Sequence, residues 1–215
     1  MAKKDARTPD YAQMIELLRR GQVDELSRSV EGALENGAEP VEILDRALIR
    51  GMRAIGEDFK HNRVYVPEVL IASRAMKAAL ALLEPRLADW KGKRIGTIVI
   101  GTVAGDLHDI GKNLVSILAA GAGFHVVDLG VDVSIDRFVE AAQKHEAGIV
   151  GMSSLLTTTM PVMREIVAAL KEEGFPGVKT VIGGAPTTPQ FAGEIGADGY
   201  APDAGSAIEV FESLL

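Results

Sequence analysis

RIGTIVIGTVAGDLHDIGKNLV, residues 94–115, holds two patterns joined by a polar break. IGTIVIG (95–101) is β-branched and apolar on both faces, as a strand buried between two layers must be. From Ile110 onward the apolar positions recur at helical spacing, which predicts a helix over 110–121. Between them stand Asp106, Leu107, His108 and Asp109, a polar loop at the exit of a hydrophobic strand.

Outward from this stretch the same alternation repeats. Strand-like runs fall at 125–129 (HVVDL), 148–152 (GIVGM), 178–182 (VKTVI) and 198–200 (DGY). Helical patterns lie between and after them, near 134–145, 160–173, 187–195 and 204–214. Strands alternating with helices give a parallel sheet covered on both sides. Five such units predict a doubly wound, flavodoxin-like (Rossmann-like) domain. In open parallel sheets ligands sit outside the carboxyl ends of the strands. Those ends read GDLHDIG, LGVDVS, SSLLTTT and GGAPTT, all rich in Gly, Ser, Thr or Asp.

Upstream the grammar differs. Tyr11, Met14, Ile15 and Leu18 form a helical stripe stopped by Gly21, and Val23, Leu26, Val30 and Leu34 form another ended by Asn36-Gly37. A third helix starts near Pro40, a residue suited to a first helical turn. A fourth follows HNRVYVPE and carries Val69, Leu70, Ala72, Met76, Leu80 and Leu83. Four helices with short connections predict an antiparallel four-helix bundle over 1–90, followed by the α/β domain over 91–215. Lys91-Gly92-Lys93-Arg94 is the expected linker, and PRLADWKGKR (85–94) the expected hinge.

Bulk properties narrow the function. The 215 residues are 47% hydrophobic, enough for a packed core. A net charge of −7 argues against nucleic-acid binding, which needs clustered cations to displace counterions. With no cysteine, disulfides, zinc–thiolate sites, iron–sulfur clusters and a cysteine nucleophile are excluded. The N-terminus, MAKKDARTPDYAQ, has no apolar signal region, and no run approaches ~18 uninterrupted apolar residues. The expectation is a cytoplasmic protein without a membrane partner.

Asp106-x-His108 admits three readings. In the first, Asp106 or Asp109 merely caps the helix at 110–121. In the second, Asp-x-His begins a metallophosphoesterase site, which would need further Asp, Asn and His ligands at later strand ends. Those ends supply Ser, Thr and Gly instead. In the third, His108 is a single axial ligand to a metal that brings its other ligands with it. A neutral imidazole suits that role, and a carboxylate on its second nitrogen would fix the tautomer. The remaining histidines, His61, His125 and His145, stand in no second ligand motif.

The chain resembles the cobalamin-binding corrinoid proteins of methyltransferase systems, in three spaced elements. Asp106–Gly111 matches Asp-x-His-x-x-Gly. Ser153-Ser154-Leu155 matches Ser-x-Leu after 41 residues (112–152), and Gly183-Gly184 follows after 27 more (156–182). GMRAIGEDFKHNRVYVPEVLIASRAMKAAL (51–80) is similar to the helical cap of methionine-synthase-type and methanogen or acetogen corrinoid proteins. The likeness spans about residues 10–215.

On that resemblance the cofactor is cobalamin or a related corrinoid, in methylcobalamin, hydroxocobalamin and Co(I) forms. His108 would replace its dimethylbenzimidazole as the lower axial ligand to cobalt. Asp106 would stand behind His108, and Gly105, Leu107, Asp109, Ile110 and Gly111 would complete the facing loop. The displaced nucleotide tail would run past Ser153, Leu155, Thr157, Gly183 and Gly184. The methionine-synthase relay continues from the aspartate to a serine; the matching position here is Thr159. For Thr157 to Thr159 a plain helix cap before Pro161 is the alternative. Phe59 and Val66 would shield the upper face of cobalt, or else are ordinary bundle core.

The resemblance implies a methyl carrier, cycling between Co(I) and methyl–Co(III), and thus part of an enzyme system. The partners implied are a substrate-specific methyltransferase, a second methyltransferase serving tetrahydrofolate or coenzyme M, and a reductive activation protein. A cobalamin-dependent sensor and the cobalamin subunit of a mutase are the competing readings. Known sensors add a DNA-binding domain, for which this acidic chain has no room. Mutase chemistry needs space above cobalt that an apolar lid would fill.

Overall fold

The structure is a computed structural model that describes residues 9–86, 95–175 and 177–215. The chain divides into two compact units, Met1–Gly92 and Lys93–Leu215. The linker expected at 91–94 and most of the expected hinge lie outside the described residues.

The first unit is helical. α1 (Tyr11–Arg19) is capped by the Asp10 carboxylate, which accepts the Gln13 N–H, and α2 (Val23–Glu35) follows after Gly21, whose φ is +65. α3 (Pro40–Ile43), a π-helical stretch (Leu44–Ile49) and α4 (Arg50–Lys60) form one continuous rod. α5 (Val66–Leu83) completes the set. α1 and α5 pack on each other, and α2 and α4 each pack on both of them, around a core that includes Leu18, Leu26, Val30, Leu48, Met52, Ile55, Val69 and Ala72. Asp58 ties α1 to the turn before α5, pairing with both Arg19 and Arg63. Among the described residues no helix is long and apolar enough to cross a membrane.

The second unit is a five-stranded, wholly parallel sheet in the order β2-β1-β3-β4-β5. Its strands are β1 (Thr97–Thr102), β2 (His125–Asp128), β3 (Ile149–Ser153), β4 (Lys179–Gly183) and β5 (Gly199–Ala201). The connecting helices are α6 (Ile110–Gly121), α7 (Ile135–Lys144), α8 (Met160–Glu172) and α9 (Pro189–Ile195), and α10 (Ala204–Leu214) follows β5. Alternate residues of each strand face opposite layers, so both faces must be apolar. Ile98 and Ile100 pack with Ala119, Phe124, Ala207 and Phe211 on one side. Val99 and Val103 pack with Phe138, Met163 and Ile166 on the other. Gly101 belongs to that second face because a Cβ there would lie 2.8 Å from the Phe138 ring.

β2 lies on one side of β1 and β3 on the other. This reversal opens a crevice between the loops that leave β1 and β3, the position where such sheets bind ligands. Thr102, Ser153 and Gly183 are in register, so three of the loops start level with one another.

Candidate functional site

The loop after β1 descends into that crevice. Asp106 is fully buried, which for a carboxylate demands compensating hydrogen bonds. It receives five. Oδ1 accepts the His108 backbone N–H at 3.0 Å and faces the His108 ring Nδ1 at 2.7 Å. Oδ2 accepts the amides of Leu155 at 2.7 Å and Leu156 at 3.3 Å, and the Thr159 hydroxyl at 3.2 Å. Burial works against ionisation, but the Leu155 and His108 amides, the His108 ring and the Thr159 hydroxyl outweigh it. The carboxyl therefore ionises at about 2, below its ordinary 3.8.

An ionised carboxylate can only accept, so the proton on the imidazole is at Nδ1 and a lone pair remains on Nε2. Nε2 makes no hydrogen bond among the described residues, and the side chain is 52% exposed. The His108 carbonyl is held by the Thr102 hydroxyl at 2.9 Å. The result is a rigidly backed imidazole offering one free nitrogen.

The chain of hydrogen bonds continues beyond Asp106 through Thr159 to Ser154. Thr159 Oγ1 also lies 3.0 Å from the Leu156 carbonyl and 2.8 Å from the hydroxyl of Ser154, a fully buried residue. Thr159 stands at the N-cap position of α8 but gives the helix no side-chain cap, so its hydroxyl is spent on Asp106 and its neighbours. Thr157 is exposed on the same turn, and Ser153 ends β3 half-buried.

Asp109 corrects an expectation. It occupies the N-cap position of α6, yet its carboxylate caps no backbone N–H and accepts instead from the Asn113 side chain at 3.0 Å. Asp106 does not cap the helix either, since its acceptors are committed elsewhere. Unforeseen in the sequence, Lys112 is buried in the first turn of α6, with Nζ 2.7 Å from Asp128 Oδ1 and 2.6 Å from Asn113 Oδ1. That pair fixes the start of α6 against the end of β2.

Gly183 and Gly184 also acquire a different reason. A Cβ on Gly184, whose φ is +121, would lie 1.9 Å from the Ser154 carbonyl, and one on Gly183 would lie 3.1 Å from the Ala201 carbonyl. The glycines are required by the protein's own loops. Gly111 is the opposite case: a Cβ there meets nothing within 4 Å.

The donor set decides what kind of metal group fits. Among the described residues no three His, Cys, Asp or Glu side chains gather to hold an ion, which leaves the metallophosphoesterase reading without ligands. A cobalt that brings its other ligands in a corrin ring needs a single donor from the protein, and His108 Nε2 is a free donor of that type. Leu107 and Ile110, 72% and 74% exposed, present apolar surface beside the imidazole, as do Leu155 and Leu156 on the facing loop. Open space over Gly111 adds room beside them. The residues present fit a corrinoid. In the helical unit, Phe59 and Val66 are half-buried.

Comparison with known proteins agrees. A family described as B12 binding domain matches residues 96–209, and a second of the same description matches residues 11–84. Dimethylamine corrinoid protein 2 of Methanosarcina acetivorans is 43% identical over 194 residues, 89% of each chain. Trimethylamine corrinoid protein 1 of Methanosarcina mazei is 42% identical over 196 residues, covering 89% of this chain and 91% of that one. The methanol:cobalamin methyltransferase complex of Methanosarcina barkeri contains a chain that superposes with a TM-score of 0.87 at 27% identity, over 99% of this chain and 83% of that one. With its parallel-sheet unit, its exposed His108 backed by buried Asp106 and these relatives in agreement, the chain belongs to the cobalamin-binding corrinoid proteins.

Proposed function

We propose that this protein carries a methyl group on its corrinoid between two methyltransferases, with His108 as the lower axial ligand. The observation that carries the reading is the 2.7 Å contact of Asp106 with His108 Nδ1, which leaves Nε2 as the free donor. The bound corrinoid supplies a cobalt atom able to accept and release a methyl group. The chain's residues supply the rest. His108 would hold the cobalt through Nε2, Asp106 keeps the Nδ1 proton in place, and Thr159 steadies Asp106. Ser153, Leu155, Thr157 and the Gly183-Gly184 turn form the side of the sheet assigned to the nucleotide tail. Phe59 and Val66 are assigned to the upper face of cobalt, where apolar cover keeps water and oxidant from the reactive metal.

The relatives named for dimethylamine and trimethylamine, and the methanol complex, define the donors to try first. A substrate-specific methyltransferase is the first partner, as the methanol complex suggests for its own corrinoid chain. Transfer onward to tetrahydrofolate or coenzyme M requires a second methyltransferase, and reactivation of oxidised cobalt requires a reductive activation protein. The domains in this reading are a cap over 1–90 and a corrinoid domain over 91–215.

The test is a reconstituted transfer assay. The protein is loaded with hydroxocobalamin, reduced, and offered methylamines or methanol with a cognate methyltransferase. Methylation of the corrinoid is expected. Stable adenosylcobalamin binding with no methyl transfer from any donor would contradict the reading and favour a mutase or sensor.

A further inference from the structure

The carboxylate of Asp106 is fastened by its five donors, but its backbone is fastened from another loop. Between β2 and α7, Asp132 adopts a left-handed conformation with φ +53, uncommon for any residue but glycine and tolerated best by Asn and Asp. From there its N–H donates to the Asp106 carbonyl at 3.0 Å, and its Oδ1 accepts the Gly105 N–H at 2.7 Å. The two bonds grip the peptides on either side of the Gly105–Asp106 link, so neither peptide can turn without breaking one. The clip continues the bridge between Val103 and Val133, where the Val133 N–H donates to Thr102 at 3.0 Å.

The imidazole of His108 is half exposed, and among the described residues its one side-chain hydrogen bond is to Asp106. Its direction is therefore inherited from Asp106, and the direction of Asp106 from the backbone that Asp132 grips. We propose that Asp132 is a positioning residue for His108, its clip on Gly105 and Asp106 setting the direction of Nε2 and hence how firmly the ring holds cobalt. This rests on the reading of His108 as axial ligand. Groups that orient a metal-bound histidine at one remove commonly change metal affinity by about 10–100-fold when lost.

The experiment uses the full chain loaded with cob(II)alamin, whose electron paramagnetic resonance spectrum splits when one axial nitrogen is bound. Asp132→Gly keeps the left-handed backbone and its N–H bond and removes only the carboxylate. Asp132→Asn keeps an acceptor oxygen. We expect Asp132→Gly to lower the ratio of histidine-bound to histidine-free cobalt about tenfold, and Asp132→Asn to restore most of the wild-type splitting. The melting temperature of the cofactor-free protein should stay close to wild type in both. Unchanged splitting in Asp132→Gly would overturn the proposal, as would splitting lost only together with a large fall in that melting temperature. A wild-type spectrum without nitrogen splitting would overturn the axial role of His108 itself, before any variant is compared.

Discussion

At the residue scale the site is a buried carboxylate whose neighbours decide its chemistry. Asp106 ionises at about 2 in the folded chain and near 3.8 when unhindered, so its ionised form adds stability that is full above pH ~4. That stability is lost as the pH falls through about 2. Acid unfolding followed by circular dichroism should therefore steepen in this window for wild type, and Asp106→Asn should flatten it while lowering stability at neutral pH by about 1–3 kcal/mol. A variant as stable as wild type at pH 7 would contradict the five-donor arrangement. Thr159 gives a graded test. Thr159→Ser keeps the hydroxyl and loses a methyl group worth ~0.8 kcal/mol, whereas Thr159→Ala also removes a partner of Asp106 and Ser154 and should cost about 1 kcal/mol more in urea unfolding. His108, Asp106 and Thr159 were legible from motif spacing and resemblance. Ser154 was not, because adjacent serines look alike until the end of β3 decides which one turns inward.

At the element scale two glycines separate folding from binding. Gly184→Ala places a methyl group on the Ser154 carbonyl at a positive φ, and should lower the melting temperature sharply or prevent folding. Gly111→Ala meets open space inside a helix and should raise helix stability by up to ~1 kcal/mol while weakening corrinoid binding. Calorimetry for stability and titration with hydroxocobalamin for affinity check the pair; unaltered affinity in Gly111→Ala would remove that face from the cofactor site. The strands and helices of the second unit fall within about two residues of the sequence reading, because a doubly covered parallel sheet writes unbroken apolar runs. The π-helical stretch Leu44–Ile49 was missed, although its trace is present. Leu44, Leu48 and Met52, and likewise Ile43, Ala47, Gly51 and Ile55, are buried at steps of four, wider than the 3.6 of an α-helix. The Asp109 cap was misread because an aspartate before a helix usually caps it. Only the position of Asn113 shows where this carboxylate goes.

At the scale of the whole molecule the order of the strands makes the site. The loops after β1 and β3 meet because β2 and β3 lie on opposite sides of β1, and the Leu155 and Leu156 amides reach Asp106 across that crevice. No local sequence pattern shows this contact between residues about fifty positions apart; the alternation of strands and helices along the whole unit does. The helical unit is tested through Phe59. In the full chain loaded with methylcobalamin, Phe59→Ala should speed photolysis of the cobalt–carbon bond, measured by the decay of its visible spectrum. Equal rates would place Phe59 outside the cofactor's surroundings. The central claim is that a protein histidine binds the cobalt. Its most direct test is the electron paramagnetic resonance spectrum of the cob(II)alamin-loaded protein, prepared with ordinary and with nitrogen-15-labelled histidine and compared with His108→Ala. The account predicts a nitrogen triplet that becomes a doublet on labelling and disappears in the variant. A splitting that ignores the label, or that persists in His108→Ala, would contradict it.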